Sequence, residues 1–192
     1  MLLAVIGVFG GLIGAIADVP YIIDTFLRKT QPHRVTWFIF FILNAISLAN
    51  NAASGARNSL WLIAGWTIST FIISILSISR GVGGHSKLDI TVIVGAVIGL
   101  LLWWWFDTPL ASIITNVVVA CIAYVPTFKK AYINPASETK ITWLIGTIGS
   151  ALGAIAVGKL DFTLLIFPLY AFITQGALFT VIQLRAKSLK NK

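Results

Sequence analysis

The sequence predicts an all-α membrane protein that crosses the bilayer seven times. Three observations carry this. Hydrophobic residues make up 58% of the 192 residues and charged residues only 10%, against roughly 25% charged in a soluble domain. Apolar runs of about the length a spanning helix needs recur along the whole chain, with no stretch between them long enough for a soluble domain. The basic residues gather in alternate loops.

Seven runs qualify: Leu2–Leu27, Val35–Ala53, Ser59–Ser79, Ile90–Phe106, Leu110–Phe128, Ile141–Val157 and Phe162–Leu184. The hydrocarbon core offers no water to backbone N–H and C=O groups, so each continuous run is expected to be helical. A β-barrel would need short alternating segments instead. The first run lacks a basic n-region and is followed by six more, so it is read as a retained helix rather than a signal peptide. The fourth is the shortest. It ends on Trp103, Trp104 and Trp105, as in an aromatic belt at the outer interface. Pro109 allows a short turn into the fifth. Gly7, Gly11, Gly10 and Gly14 in the first span, and Gly149 and Gly153 in the sixth, have the spacing of close helix packing.

Of the 14 Lys and Arg residues, all but Arg57 and Lys159 fall in one set of loops. These are Arg28, Lys29 and Arg34; Arg80 and Lys87; Lys129, Lys130 and Lys140; and Arg185, Lys187, Lys190 and Lys192. The positive-inside rule then puts the C-terminus in the cytoplasm and the N-terminus outside, in the cell (inner or plasma) membrane. The net charge of +8 is therefore a topogenic signal, and no nucleic acid partner is expected. The lone Cys121 lies in an apolar run and is read as a packed side chain.

The chain repeats itself at an offset of 106 residues. Pro20 pairs with Pro126, and Thr36-Trp37 with Thr142-Trp143. Ala17/Ala123, Val19/Val125, Ile39/Ile145, Ile42/Ile148 and Ala45/Ala151 fall at the same offset without a gap. Spans one to three map onto spans five to seven, and span four is left as a linker. An odd linker keeps both units in one orientation, so the repeat is parallel. The organisation is then residues 1–79 as a first three-helix bundle, 80–109 as the linker helix, 110–184 as the second bundle, and 185–192 as a basic cytoplasmic tail.

This three-one-three plan resembles the SWEET and PQ-loop transporter superfamily, as a divergent bacterial-type member. The outside N-terminus agrees, as does a proline late in the first helix of each unit followed by a basic loop. The motif-level likeness covers Ala17–Trp37 and Ala123–Trp143. The signature Pro-Gln reads Pro20-Tyr21 and Pro126-Thr127, and the family's second pair of prolines is missing. The resemblance implies transport of a small polar solute, with sugars a candidate class, by alternating access between the two bundles. It also implies that Pro20 and Pro126 act as paired hinges. Uniport and proton linkage are both open. The alternative is a receptor or sorting protein that binds a ligand on the same fold without moving it. Assembly with further copies is left open.

Polar residues at mid-bilayer are costly and point to a site. Asn44 and its repeat mate Ser150, Ser69 and Thr70, and Thr174 and Gln175 lie near span midpoints. Asn50 and Asn51 lie nearer the outside, and Trp66 and Tyr170 offer stacking faces. These ten are the candidate solute-binding residues. The resemblance puts an amide on the third and seventh helices; Gln175 supplies one, and the third span has none. Asp18, just before the first hinge, is the candidate for proton coupling. Asp24 is expected to pair with Arg28 at i+4. His33 and His85 are expected to be solvated, and Gly81–Lys87 to be a flexible connector. No nucleophile–base pair, metal cluster or cofactor motif appears, so neither an enzyme nor a bound cofactor or metal is expected.

Overall fold

A computed structural model describes residues 2–53, 60–106, 109–158, 160 and 162–191. Among them the chain is all-helical. The segments are α1 (Leu2–Ile16), α2 (Val19–Phe26), α3 (Arg34–Ala53), α4 (Leu60–Arg80), α5 (Lys87–Phe106), α6 (Pro109–Ile133), a 3-10 turn (Pro135–Ser137), α7 (Lys140–Ala156) and α8 (Phe162–Lys190). The first two run end to end, so the described segments amount to seven helices. Three stretches are long and apolar enough to cross a membrane: Val5–Phe26, Ile113–Ile133 and Leu165–Lys190; shorter apolar helices lie at Arg34–Ala49, Ala64–Arg80 and Lys140–Ala156.

The expected single first helix is broken at Ala17 and Asp18. Proline at i removes the bond to the i−4 carbonyl and crowds it. Here Pro20 sits in the first turn of α2, where a missing N–H costs nothing. The freed end of α1 is closed from two sides. The Ala17 N–H bonds the Gly14 carbonyl at 3.2 Å, and the Trp66 indole N–H reaches the same carbonyl at 2.9 Å. Pro126, by contrast, lies inside an α6 that runs through it. The two prolines are thus mates in sequence but not in local structure. A further proline not singled out above, Pro168, lies inside α8.

Helix pairing has a regular pattern. α4 packs against α3 and against both α1 and α2. Likewise α8 packs against both α6 and α7. Between these groups α1 packs on α7 and α3 on α6, while α5 lies along α6 and touches α3. The α1–α7 contact is close because it is made of glycines. A Cβ on Gly10 would stand 3.2 Å from the Gly153 nitrogen, and one on Gly149 would stand 3.1 Å from the Gly14 nitrogen.

The polarity of the bundle is inverted relative to a soluble protein. Val8, Phe9, Leu12, Val94, Leu101 and Trp105 are among many large apolar residues exposed on its outside, and Thr25, Thr36, Ser74, Ser77, Thr127 and Thr142 are buried within it.

The basic loops meet at one end. Arg34 donates to the carbonyls of Ser77, Gly83 and Ile78. Arg80 donates to those of Thr25 and Phe26. Lys130 donates to Gln31 and Ser137, and Arg185 to Tyr132. Several of these carbonyls belong to last helical turns, whose acceptors have no partner within the helix. The segment expected as a separate basic tail is helical to Lys190, since no breaker separates it from the last span.

Three further expectations are corrected at this end. Arg28 takes φ 60 at the turn that ends α2, which carries it off the helix. Asp24 accepts instead from the Thr139 hydroxyl at 2.9 Å. His33 is buried, 7% exposed, with Nε2 3.4 Å from Asp89 Oδ1; His85 is exposed, as expected. The glycine-rich connector is held at several points. The Val82 N–H bonds the Pro32 carbonyl and the Arg34 N–H bonds the Val82 carbonyl. Asp89 Oδ2 accepts from the N–H groups of Gly84 and Ser86, and Ser86 Oγ accepts the Asp89 N–H in return, a capping box that starts α5.

Candidate functional site

The site follows the seam where α1–α4 meet α6–α8. Aromatic rings line it from one end to the other. Trp66 and Phe167 face each other across it at 6.3 Å. Phe167 leads to Tyr170 at 6.0 Å, and Tyr170 to Tyr124 at 6.4 Å. Tyr124 meets Phe40 at 4.7 Å across the seam. Towards the basic end the repeat mates Trp37 and Trp143 lie 6.2 Å apart, and Tyr21 packs against both.

Polar groups punctuate this strip. The break between α1 and α2 turns Asp18 inward, and its carboxylate accepts from the Ser69 hydroxyl at 2.6 Å. Asn44 donates to Thr70 at 3.4 Å. On the other side Thr174 lies one turn beyond Tyr170, donating to its carbonyl at 2.9 Å, and the Tyr170 ring packs on Tyr124. Thus Asp18, Asn44, Trp66, Ser69 and Thr70 gather on one wall, and Tyr170 and Thr174 on the other.

The remaining candidates fare differently. Ser150 bonds the Gly146 carbonyl of its own helix at 2.8 Å. Ser69, Thr70 and Thr174 also bond carbonyls of their own preceding turns, which satisfies hydroxyls in an apolar setting. Gln175 fills the space beside Gly146, where its amide stands in the way of any Cβ. It therefore packs between α7 and α8. The side chains of Asn50 and Asn51 lie outside the described residues.

At the basic end the seam is closed by a buried polar cluster. The Glu138 side chain is fully buried and pairs with Lys130 at 2.5 Å. Its Oε2 accepts the Trp143 indole N–H at 3.0 Å, and its Oε1 lies 3.5 Å from the Tyr21 hydroxyl, which in turn accepts the Trp37 indole N–H at 3.2 Å. Thr30 and Thr139 share a 2.5 Å hydroxyl contact, and the Gln31 N–H bonds the Ser137 carbonyl at 3.0 Å. Residues 21–31 and 130–139 are thereby laced together. Beside them Thr36 donates to the Ala123 carbonyl at 2.6 Å and accepts from Thr127 at 2.9 Å. Its repeat mate Thr142 is equally buried, and its hydroxyl has no partner among the described residues.

Sequence reasoning found Trp37 and Trp143 as repeat markers but gave them no part in a site. It also passed over Phe40, Tyr124, Phe167 and Glu138. The available signal for Glu138 was that it is the chain's sole glutamate, one of six acidic residues, and it lies between the second hinge proline and the second Thr-Trp.

The chain matches no family model, no curated protein and no solved structure.

Proposed function

We propose that this protein is a membrane carrier for a small polar solute. Its two parallel three-helix repeats, α1–α4 and α6–α8, rock against each other across the aromatic seam, with α5 as the linker. The observation that carries this reading is the mirrored helix pairing. In each repeat the third helix packs between the other two, and the first helix of each repeat packs on the second helix of the other. That pattern, with the 106-residue offset, supports a pseudo-twofold axis along the bundle. Transport sites lie on such an axis, at the repeat interface. The apolar exterior and the gathering of basic residues at one end support embedding, with that end in the cytoplasm.

The solute would lie between Trp66, Phe167, Tyr170 and Tyr124, whose faces suit the apolar face of a sugar-like molecule. Asp18, Ser69, Asn44, Thr70 and Thr174 offer acceptors and donors for its hydroxyls. The Glu138 cluster forms the cytoplasmic floor, so this conformation is the one closed to the cytoplasm. A typical hydrogen bond contributes about 1 kcal/mol net. Each contact that laces the floor therefore favours the closed state by an amount of that order. Opening requires a solute that binds the open state better by enough to offset them.

The test is flux. Purified protein in proteoliposomes should take up labelled neutral sugars or polyols with saturation, and unlabelled solute inside should accelerate entry. Saturable quenching of tryptophan fluorescence by a solute that never accumulates would instead make the protein a receptor. Where uptake occurs, insensitivity to a pH gradient together with a silent Asp18→Asn would exclude proton coupling and leave uniport.

A further inference from the structure

A cavity of about 430 Å³ opens at the basic end, beside the cluster that closes the seam. Its walls come from three places: His33 and Arg34 at the start of α3, Gly83, Ser86 and Asp89 at the entry to α5, and Pro126, Lys129 and Lys130 on α6. We propose that this cavity binds a phosphate group carrying net negative charge, presented either by an anionic phospholipid headgroup or by a soluble phosphate.

The charges of the lining favour an anion. Arg34, Lys129 and Lys130 face it with one carboxylate, Asp89. Asp89 is already engaged by the Gly84 and Ser86 N–H groups and by His33. All three donor nitrogens of Arg34 go to backbone carbonyls. These satisfy its hydrogen bonds but leave its charge unneutralised. Lys130 pairs with Glu138. Lys129 has no ion pair among the described residues and stands exposed at the rim with His85 and Ser86. The site thus holds a fixed cationic wall behind the Lys129 ammonium group and the Ser86 hydroxyl, which accepts the Asp89 N–H and keeps its own proton to donate; together these suit the oxygens of a phosphate.

The position bears on the rest of the molecule. The cavity touches Pro126, inside α6, and Lys130, the partner of the floor carboxylate. Leu88 and Ile133 line its edge, and Ile133 is exposed at the end of α6. An acyl chain attached to the phosphate would have apolar surface to follow. The site is argued from its own residues and stands apart from the carrier reading.

The test uses full-length protein in a neutral detergent, with thermal unfolding followed by tryptophan fluorescence. Dihexanoyl phosphatidylglycerol, dihexanoyl phosphatidylcholine and inorganic phosphate are titrated separately. A saturable rise in Tm with phosphatidylglycerol but not phosphatidylcholine is expected if the source is a lipid. A rise with inorganic phosphate alone points to a soluble source. Either supports the site if Lys129→Glu weakens the apparent affinity about tenfold or more, the loss of one charge-assisted hydrogen bond, and His85→Ala with Ser86→Ala weakens it less. No saturable shift with any probe, or a shift unchanged in Lys129→Glu, overturns the proposal.

Discussion

At His33 a ring expected in solvent is buried instead, and that has a measurable consequence. Burial is the main influence on its pKa and lowers it; Asp89 pulls it up, and Lys130 and Arg34 push it down, leaving it at about 4 against an ordinary 6.5. The unfolded chain therefore binds a proton between these values that the folded chain refuses. Stability should fall as pH drops from about 6.5 towards 4 and level off below that. Replacing the ring removes this contribution, so melting curves of His33→Gln should be flatter than wild type across that window. An unchanged slope would mean that the ring protonates in place. Gly83 lies directly over the ring at φ +79, and a Cβ there would overlap it. Gly83→Ala should cost about 1–3 kcal/mol, seen as a lowered Tm. This pairing was not legible from local patterns, because Asp89 is 56 positions from His33 and only the fold joins them.

Among the helices, the two prolines separate cleanly. Pro20 starts a helix, whereas Pro126 interrupts one. An interior proline costs a helix about 3 kcal/mol or more, while one in the first turn is neutral. Pro126→Ala should therefore raise Tm and slow flux, and Pro20→Ala should change Tm little. Equal effects of the two on unfolding and uptake would contradict this assignment. The repeat in the sequence made the prolines visible and the helix boundaries followed hydropathy closely, since both are local signals. The break at Ala17 and Asp18 was not legible. It is stabilised by an indole from α4 that adds a second hydrogen bond to the Gly14 carbonyl, beside the one from the Ala17 N–H. The same holds for Gln175: its place in the seventh span was clear, but its packing against Gly146 comes from how α7 meets α8.

For the bundle as a whole, the closed floor makes one carboxylate decisive. Glu138 binds Lys130, Trp143 and Tyr21 together. Glu138→Gln keeps the shape and removes the charge, leaving Lys130 with the Gln31 and Ser137 carbonyls as its partners, a loss of about 1.5–3 kcal/mol for the charge-assisted contact. The population should shift towards a floor-open state. Spin labels at the exposed positions Lys29 and Lys140, on the two sides of the floor, should report it. Wild type is expected to give one dominant distance, with a longer one growing in Glu138→Gln and on adding a transported solute. A single unchanged distance in both would mean that the floor does not open. Sequence patterns located the polar residues of the candidate site by depth. Of the aromatic strip they offered Trp66 and Tyr170 alone, because its rings come from α2, α3, α4, α6, α7 and α8 and become neighbours only once the two groups of helices meet.

The arginines at the basic end have a consequence for how the chain is made. Arg34 satisfies the last carbonyls of α4, and Arg80 satisfies those of α2. Each helix end is finished by a residue from elsewhere in the chain, α3 serving α4 and α4 serving α2. On the ribosome α2 emerges long before Arg80, at about 5–20 residues per second. Its end must stay hydrated for some seconds, until α4 has been synthesised and docks. The first three helices should then close together once Arg80 has emerged. A nascent chain stalled just before Arg80 should hold an incomplete unit, and one stalled well past it a finished one.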